Sequence, residues 1–302
     1  MGCKSCFAVL ALSLAPMAAW PHTDVVNAGR SLVPTPSAGP TSSTKSGSLW
    51  MCWLDGAPLQ NLPLPTPKAV VRVAHAGQVF AAETVEVTPF GTEWLRLKST
   101  TSGDPVWVPL AYCQRVSPDN AMSGDLPIGD ERLGPYDGLT ADYRPSDLVR
   151  VAQCYCFNDE PQRLRAEAAQ ACIRMLEAAQ REAGLTIKIL SAYRSAQTQA
   201  YLCRRKIESE GIEQRAVARP GHSEHQLGTT VDLVGDNGRH LLTERFNWTR
   251  EGQWLRFNCG RFGFVQTYSR QRAQRDGIAY EPWHFRYVGR TNVQRFRKDN
   301  DE

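Results

Sequence analysis

The chain has 302 residues, 42% of them hydrophobic, with eight tryptophans and a formal net charge of +4 at pH 7. That length leaves room for two domains and that composition supports real cores. The basic residues are spread along the chain and form no block, so nucleic acid is not an expected partner.

Residues 1–19 read as an export signal. Lys4 gives a weak positive start, Phe7 to Leu14 form a short apolar run, and small residues near Ala19 offer a cleavage point. The run is too short for a stable membrane span. Cys3 and Cys6 precede it, whereas a lipid-anchored cysteine would follow it. Export predicts an oxidising location, the periplasm or the cell wall. Seven cysteines remain after cleavage, so at least one thiol stays free or pairs with another chain. Residues 20–48, rich in Pro, Ser, Thr and Gly, read as a linker.

Residues 49–117 read as five short strands, which predicts a small β-barrel. "AVVRVAHAGQVFAAETVEV" alternates in part and is broken at Gly77; "TEWLRL" alternates; "DPVWVPLAYCQRV" is a last strand bent by Pro109. The order of these features resembles bacterial SH3-like domains. The resemblance implies binding of a cell-wall polymer or packing on a neighbouring enzyme. Such barrels bring their ends together, which predicts a disulfide between Cys52 and Cys113. Residues 118–138, with "LPIGD" and "LGPYDG", read as a second connection.

From 139 to 298 the pattern is mixed, and an α+β domain with a mostly antiparallel sheet and flanking helices is expected. A helix is predicted from a cap at Asn158 or Asp159, with Pro161 in its first turn and Gly184 at its end. Its apolar stripe is Leu164, Ala168, Ala171, Met175 and Ala179. "LTIKILSAY" is then a strand, and Ser195 caps a helix that stops at Gly211. "TVDLV" is a strand, Thr249 to Gly263 a helix, and "FVQTY" and "YEPWHFRYV" are strands.

Residues 218–235, "ARPGHSEHQLGTTVDLVG", place His225 and Asp232 seven apart with Gly228 between them, before an apolar strand. A catalytic zinc site needs about three ligands from His, Asp, Glu or Cys, and a base for its water. His225 and Asp232 are a candidate pair, and Gly228 permits a tight turn between them. In "YEPWHFRY" His284 is a candidate third ligand. Glu281 lies three positions before it, and Pro282 breaks regular strand geometry so that both can reach one cleft. His75, His222 and His240 match no ligand position, although His222 lies beside the site.

These residues resemble a known family. Ser223, His225, Gly228 and Asp232 form S-x-H-x-x-G-x-x-x-D, and Glu281, Trp283, His284 and Tyr287 form E-x-W-H-x-x-Y. Ser191, Tyr193, Arg194, Ser195 and Gln199 form S-x-Y-R-S-x-x-x-Q. Together they resemble the VanY-type D-alanyl-D-alanine carboxypeptidases, zinc peptidases of peptidoglycan stem peptides. One departure is Thr230, where that family most often has Ala. The resemblance implies that His225, Asp232 and His284 hold Zn²⁺, that Glu281 is the base, and that Arg194 stabilises the oxyanion. It makes Ser223, Gln199, Trp283 and Tyr287 candidate substrate contacts. The implied reaction is removal of a terminal D-Ala. The alternatives are an L-alanyl-D-glutamate endopeptidase and a non-catalytic wall-binding zinc protein; an intact Glu281 and Arg194 argue against the latter.

Overall fold

The computed structural model describes residues 48–64, 66–89, 92–98, 105–116, 125–129, 138–157, 160–211, 214–276 and 278–301. The expected export signal, nearly all of the first linker and most of 118–138 lie outside them. Among the described residues no helix is long and apolar enough to cross a membrane.

The N-terminal part is a single seven-stranded antiparallel sheet. Its strands are β1 (Ser48–Cys52), β2 (Ala57–Gln60), β3 (Val70–Ala74), β4 (Val79–Val87), β5 (Glu93–Leu97), β6 (Val106–Pro109) and β7 (Cys113–Val116), in the order β3-β2-β6-β5-β4-β1-β7. There are more strands than the expected five. One reason is Pro109, which ends β6; a short 3-10 turn follows, so the single bent strand is in fact two. Gly77 sits at φ 85° in the turn between β3 and β4, a conformation that Gly adopts without a Cβ penalty. Trp50, Leu59, Val85, Leu95 and Val108 come from five strands yet form one buried cluster, so the sheet curls over its own apolar face. Cys52 lies directly opposite Cys113 in the β1–β7 pairing. The expected bridge is not formed: both are buried free thiols. Strand register brings the pair together, and oxidation, which register does not supply, is what would join them.

In the second part, β8 (Leu148–Arg150) and β9 (Arg163–Arg165) form a two-stranded ribbon. This corrects the expected helix start. Arg163–Arg165 pairs as strand, and the Arg165 guanidinium holds Asp147 at 2.8 Å, so α1 spans Ala166–Ala183. The expected stripe is buried throughout, and Gly184 ends the helix at φ 64°. Burying Met175 and Leu176 is worth roughly 1.5–3 kcal/mol each relative to exposure.

Then come β10 (Ile187–Ser191), α2 (Ala196–Glu210), β11 (Thr230–Gly235), α3 (Arg250–Asn258), β12 (Phe264–Val265), α4 (Arg270–Asp276), β13 (His284–Tyr287) and α5 (Val293–Asp301). Ser195 caps α2 by accepting from the Thr198 amide at 3.1 Å. The helix expected up to Gly263 is α3 followed by a 3-10 turn, Cys259–Phe262, that ends at Gly263 in the left-handed region. The central sheet has the order β10-β11-β13-β12 and is antiparallel throughout. Every residue of β11 is buried, because strands flank it on both sides and α1 packs its apolar stripe into the same core. Within the expected second connection only 125–129 and 138 are described. Leu126 is buried with Leu139, Tyr143 and Leu227, and Asp125 accepts from Ser146.

Candidate metal centre

The site is built on the two central strands. Asp232 in β11 lies directly opposite His284, the first residue of β13. His225 is the second residue of a short 3-10 turn, Glu224–Leu227, and Gly228 at φ 69° then reverses the chain so that β11 can begin two residues later. The backbone amide of Arg194 donates to the His225 carbonyl at 3.2 Å, which pins this turn to the loop after β10.

His225, Asp232 and His284 are all buried, and one ligand atom from each lies within 4.8 Å of the others. His225 Nε2 is 3.2 Å from Asp232 Oδ2, and His284 Nδ1 is 3.3 Å from Asp232 Oδ1. Yet His225 Nε2, His284 Nδ1 and Asp232 Oδ1 make no hydrogen bond. Buried polar atoms are rarely left so, and three that face one another fit a cation. The outer ring nitrogens are both occupied. His225 Nδ1 donates to the Ala192 carbonyl at 2.6 Å, and His284 Nε2 donates to Glu224 at 3.0 Å. Each bond fixes which nitrogen is left for a metal.

Glu281 lies in the turn just before β13, its Oε2 3.4 Å from His284 Nδ1. The structure therefore brings together all four residues expected at the centre. Burial pushes the Glu281 carboxyl up to about 7. Burial, with the Arg194 charge, pushes His225 down to about 4, leaving it a neutral imidazole. Burial alone would also lower His284, but the carboxylates of Asp232 and Glu224 overcome it and raise it to about 9. Burial works against the Asp232 charge as well, and the two histidines hold its carboxyl well below the usual range. Arg194 is half-buried; its Nε makes no hydrogen bond, and its charge acts on both His225 and Glu281.

The remaining candidates divide. Ser223 is buried next to the site and precedes the 3-10 turn without capping it. Gln199 donates from Nε2 to the Ala218 carbonyl at 2.6 Å, tying α2 to the segment that leads into the site. Trp283 is half-buried against the main core. Tyr287 lies in that core and its hydroxyl donates to Glu167 of α1, so it braces β13 instead of lining a cleft.

Sequence reasoning missed Glu224. This carboxylate is 1% exposed and accepts from His284, from the Thr267 hydroxyl and from Arg286 at 3.3 Å, with Arg272 at 3.6 Å. Burial would raise it, but Arg286, His284 and Arg272 hold it well below the carboxylate range. It was visible as the acid between Ser223 and His225, but its four partners come from positions 267 to 286. Tyr268 was missed too. Its ring stacks on His284 at 4.3 Å with 7° between the planes, sealing one face of the imidazole.

Comparison with known proteins gives the same segment a family. The VanY model, described as D-alanyl-D-alanine carboxypeptidase, matches residues 161–290. The bifunctional D-Ala-D-Ala dipeptidase and carboxypeptidase VanXYC of Enterococcus gallinarum is 30% identical over 142 residues, which is 46% of this chain and 74% of that protein. The chain belongs to the VanY family. YodJ of Bacillus subtilis (strain 168) is 35% identical over 167 residues, and the chain spans 60% of its length. The solved structure of the LdcB LD-carboxypeptidase superposes with a TM-score of 0.50 at 33% identity, covering 54% of this chain and 78% of that one. The VanY segment contains every residue of the candidate centre, from Arg194 to Tyr287.

Proposed function

We propose that the chain is an exported zinc carboxypeptidase that removes the terminal D-alanine from peptidoglycan stem peptides ending in D-Ala-D-Ala. The observation that carries this reading is the set of three buried ligand atoms without hydrogen bonds, beside Glu281, in a member of the VanY family. Two imidazole nitrogens and one carboxylate oxygen are a donor set suited to zinc with a position left open. When bound, zinc supplies a Lewis acid and makes water acidic enough to serve as nucleophile near neutral pH. Glu281 takes up the proton of the attacking water and returns it to the leaving amine. A carboxyl raised to about 7 is poised for both transfers near neutrality. Arg194, whose Nε has no partner, offers donors to the oxyanion of the tetrahedral intermediate. Ser223, buried just before the 3-10 turn that carries His225, is the substrate contact in this reading.

A second reading, cleavage of an L,D bond, is favoured by the likeness to the LdcB LD-carboxypeptidase. The internal L-alanyl-D-glutamate cut finds no comparable support. In the same reading the N-terminal sheet is an SH3-like barrel that meets cell-wall polymer; its separate core supports this. Residues 1–19 support export.

The test is incubation with purified muropeptides followed by mass spectrometry. Loss of one alanine from pentapeptides is expected; loss from tetrapeptides alone would establish the L,D reading, and a cut after the first stem residue would overturn both. In parallel, Glu281→Gln should keep about one zinc per chain and lose about 100- to 10,000-fold in turnover. If it loses its zinc while His284→Ala keeps it, ligand and base are wrongly assigned.

A further inference from the structure

We propose that the surface beyond the end of β11 is a second binding site, for an anionic saccharide, and that it is separate from the metal centre. A cavity of about 510 Å³ opens there, lined by Arg239, His240, Arg245, Trp248, Arg250 and Glu251 among others. That volume lies within the usual range for small-ligand sites, roughly 300–1,000 Å³. It suits one or two sugar units.

Three independent features of the lining point to this ligand. First, its cations are uncompensated. Arg165, Arg261, Arg270 and Arg272 each hold a carboxylate elsewhere on the domain. Neither Arg239 nor Arg245 makes an ion pair among the described residues, and the Arg250 guanidinium reaches only the Ala183 carbonyl, at 3.3 Å. Three guanidinium groups around one concavity favour a carboxylate or phosphate, which each can bind through paired N–H donors.

Second, Trp248 is 72% exposed at this cavity, although a tryptophan normally buries most of its surface. A flat indole face left in water beside cations is a platform for the C–H face of a sugar ring. The ring's partial positive hydrogens meet the negative face of the indole, and apolar area is covered. Glu251 in the same wall can accept from sugar hydroxyls.

Third, the loop that carries Arg239 is strained. His240 and Leu242 have φ values of 60° and 48°, the only left-handed residues other than glycine among the described residues. Such backbone strain gathers at ligand clamps. Here it holds His240 at the cavity while Leu242 stays 50% exposed, so no burial of Leu242 repays the strain.

The shared chemistry is an oxyanion attached to a saccharide, which two sources supply. One is the carboxylate of a peptidoglycan fragment, the other the phosphate of an anionic wall polymer. Binding here does not depend on the peptidase reading, because no residue of the cavity belongs to the metal centre.

The experiment uses the full chain and measures equilibrium binding of three probes: a disaccharide-peptide muropeptide, a glycerol phosphate oligomer and a neutral chitin oligosaccharide. Trp248→Ala and the double variant Arg239→Glu/Arg245→Glu are compared with the parent. All three side chains are exposed, so both variants should fold, which thermal melting checks. At least one anionic probe should bind, about tenfold or more weaker in each variant, and the neutral probe should bind weakly. The tighter anionic probe identifies the source. Zinc content and turnover of a soluble D-Ala-D-Ala peptide should stay unchanged in both variants, so failure of the peptidase reading leaves a distinct signature. Binding of neither anionic probe, or equal binding in parent and variants, would overturn the proposal.

Discussion

Glu224 shows how much of the site is held by a residue that never faces the candidate metal. It receives the Nε2 proton of His284 and thereby turns Nδ1 toward Asp232 and His225. Partners of this kind typically alter metal affinity about 10- to 100-fold. Glu224→Gln should therefore weaken zinc binding by about that factor, read by competition against a chromogenic chelator; an unchanged affinity would show that ring stacking on Tyr268 alone orients His284. The charges predict a pH dependence as well. His284 is raised from 6.5 to about 9 in the metal-free fold by the carboxylates that overcome its burial. A group raised on folding contributes stability that is complete below its unfolded value and is lost as pH rises through its folded value. Metal-free protein should thus melt at progressively lower temperature as pH rises from about 7 to beyond 9. Saturating zinc should flatten that slope, because a metal on Nδ1 replaces the proton. Melting curves with chelator and with zinc check this, and a flat metal-free profile would mean that His284 is not held charged.

At the scale of elements, the turn from His225 to β11 depends on one residue. Gly228 combines φ 69° with a site where a Cβ would stand 2.8 Å from Leu148 Cδ2 and 3.1 Å from Arg165 Cγ. Its amide donates to the His225 carbonyl at 3.2 Å, and its carbonyl accepts from Arg165 at 2.8 Å. Gly228→Ala should cost roughly 1–2 kcal/mol for the left-handed backbone and a further ~1–3 kcal/mol for the crowding. Chemical denaturation measures the loss, and Gly184→Ala is the control, since it has a similar φ of 64° but open space around it. Equal losses in the two would show that packing against β8 and β9 is unimportant. The motif made Gly228 conspicuous in the sequence. The reason it cannot carry a side chain was not legible, because Leu148 and Arg165 arrive from eighty and sixty-three residues upstream.

At the scale of the molecule, the N-terminal sheet grips the segment that enters the site. Arg219, 10% exposed, pairs with Glu93 of β5 at 3.4 Å. Gln114 of β7 donates to the Leu139 carbonyl at 3.3 Å, and the Leu139 amide donates to Gly221 at 2.7 Å. Gly221 has no room for a Cβ, which would collide with Leu139 and approach Gln114. Residues 218–222 are therefore held by α2 on one side and by the β-sheet domain on the other, immediately before Ser223. The separate spans 49–117 and 139–298 suggest a module dispensable for chemistry on small peptides, and these contacts argue against that. A chain beginning near Gly138 should retain less zinc and turn over a soluble peptide at least about tenfold more slowly. Glu93→Gln in the full chain tests the same link gently. Breaking a fully buried pair costs roughly 3–5 kcal/mol, and Glu93, 29% exposed, should cost less. Full activity in the shortened chain would restore the separable reading.

The sequence by itself determined what local pattern and spacing can encode. The apolar stripe of α1, the Ser195 cap, the alternation of β10 and the two motif segments with His225, Asp232, Glu281 and His284 were all legible, since each rests on residues a few positions apart. Only the tertiary structure decided what depends on distant partners. The start of α1 moved because β9 pairs with β8, and Tyr287 went to the core because Glu167 of α1 meets its hydroxyl. Glu224 became the brace of His284, and the β-sheet domain became a wall of the site's approach. The physical reason is common to all four. A hydrogen bond or ion pair between residues roughly 15 to 126 positions apart leaves no periodic trace in the chain, and burial decides its strength.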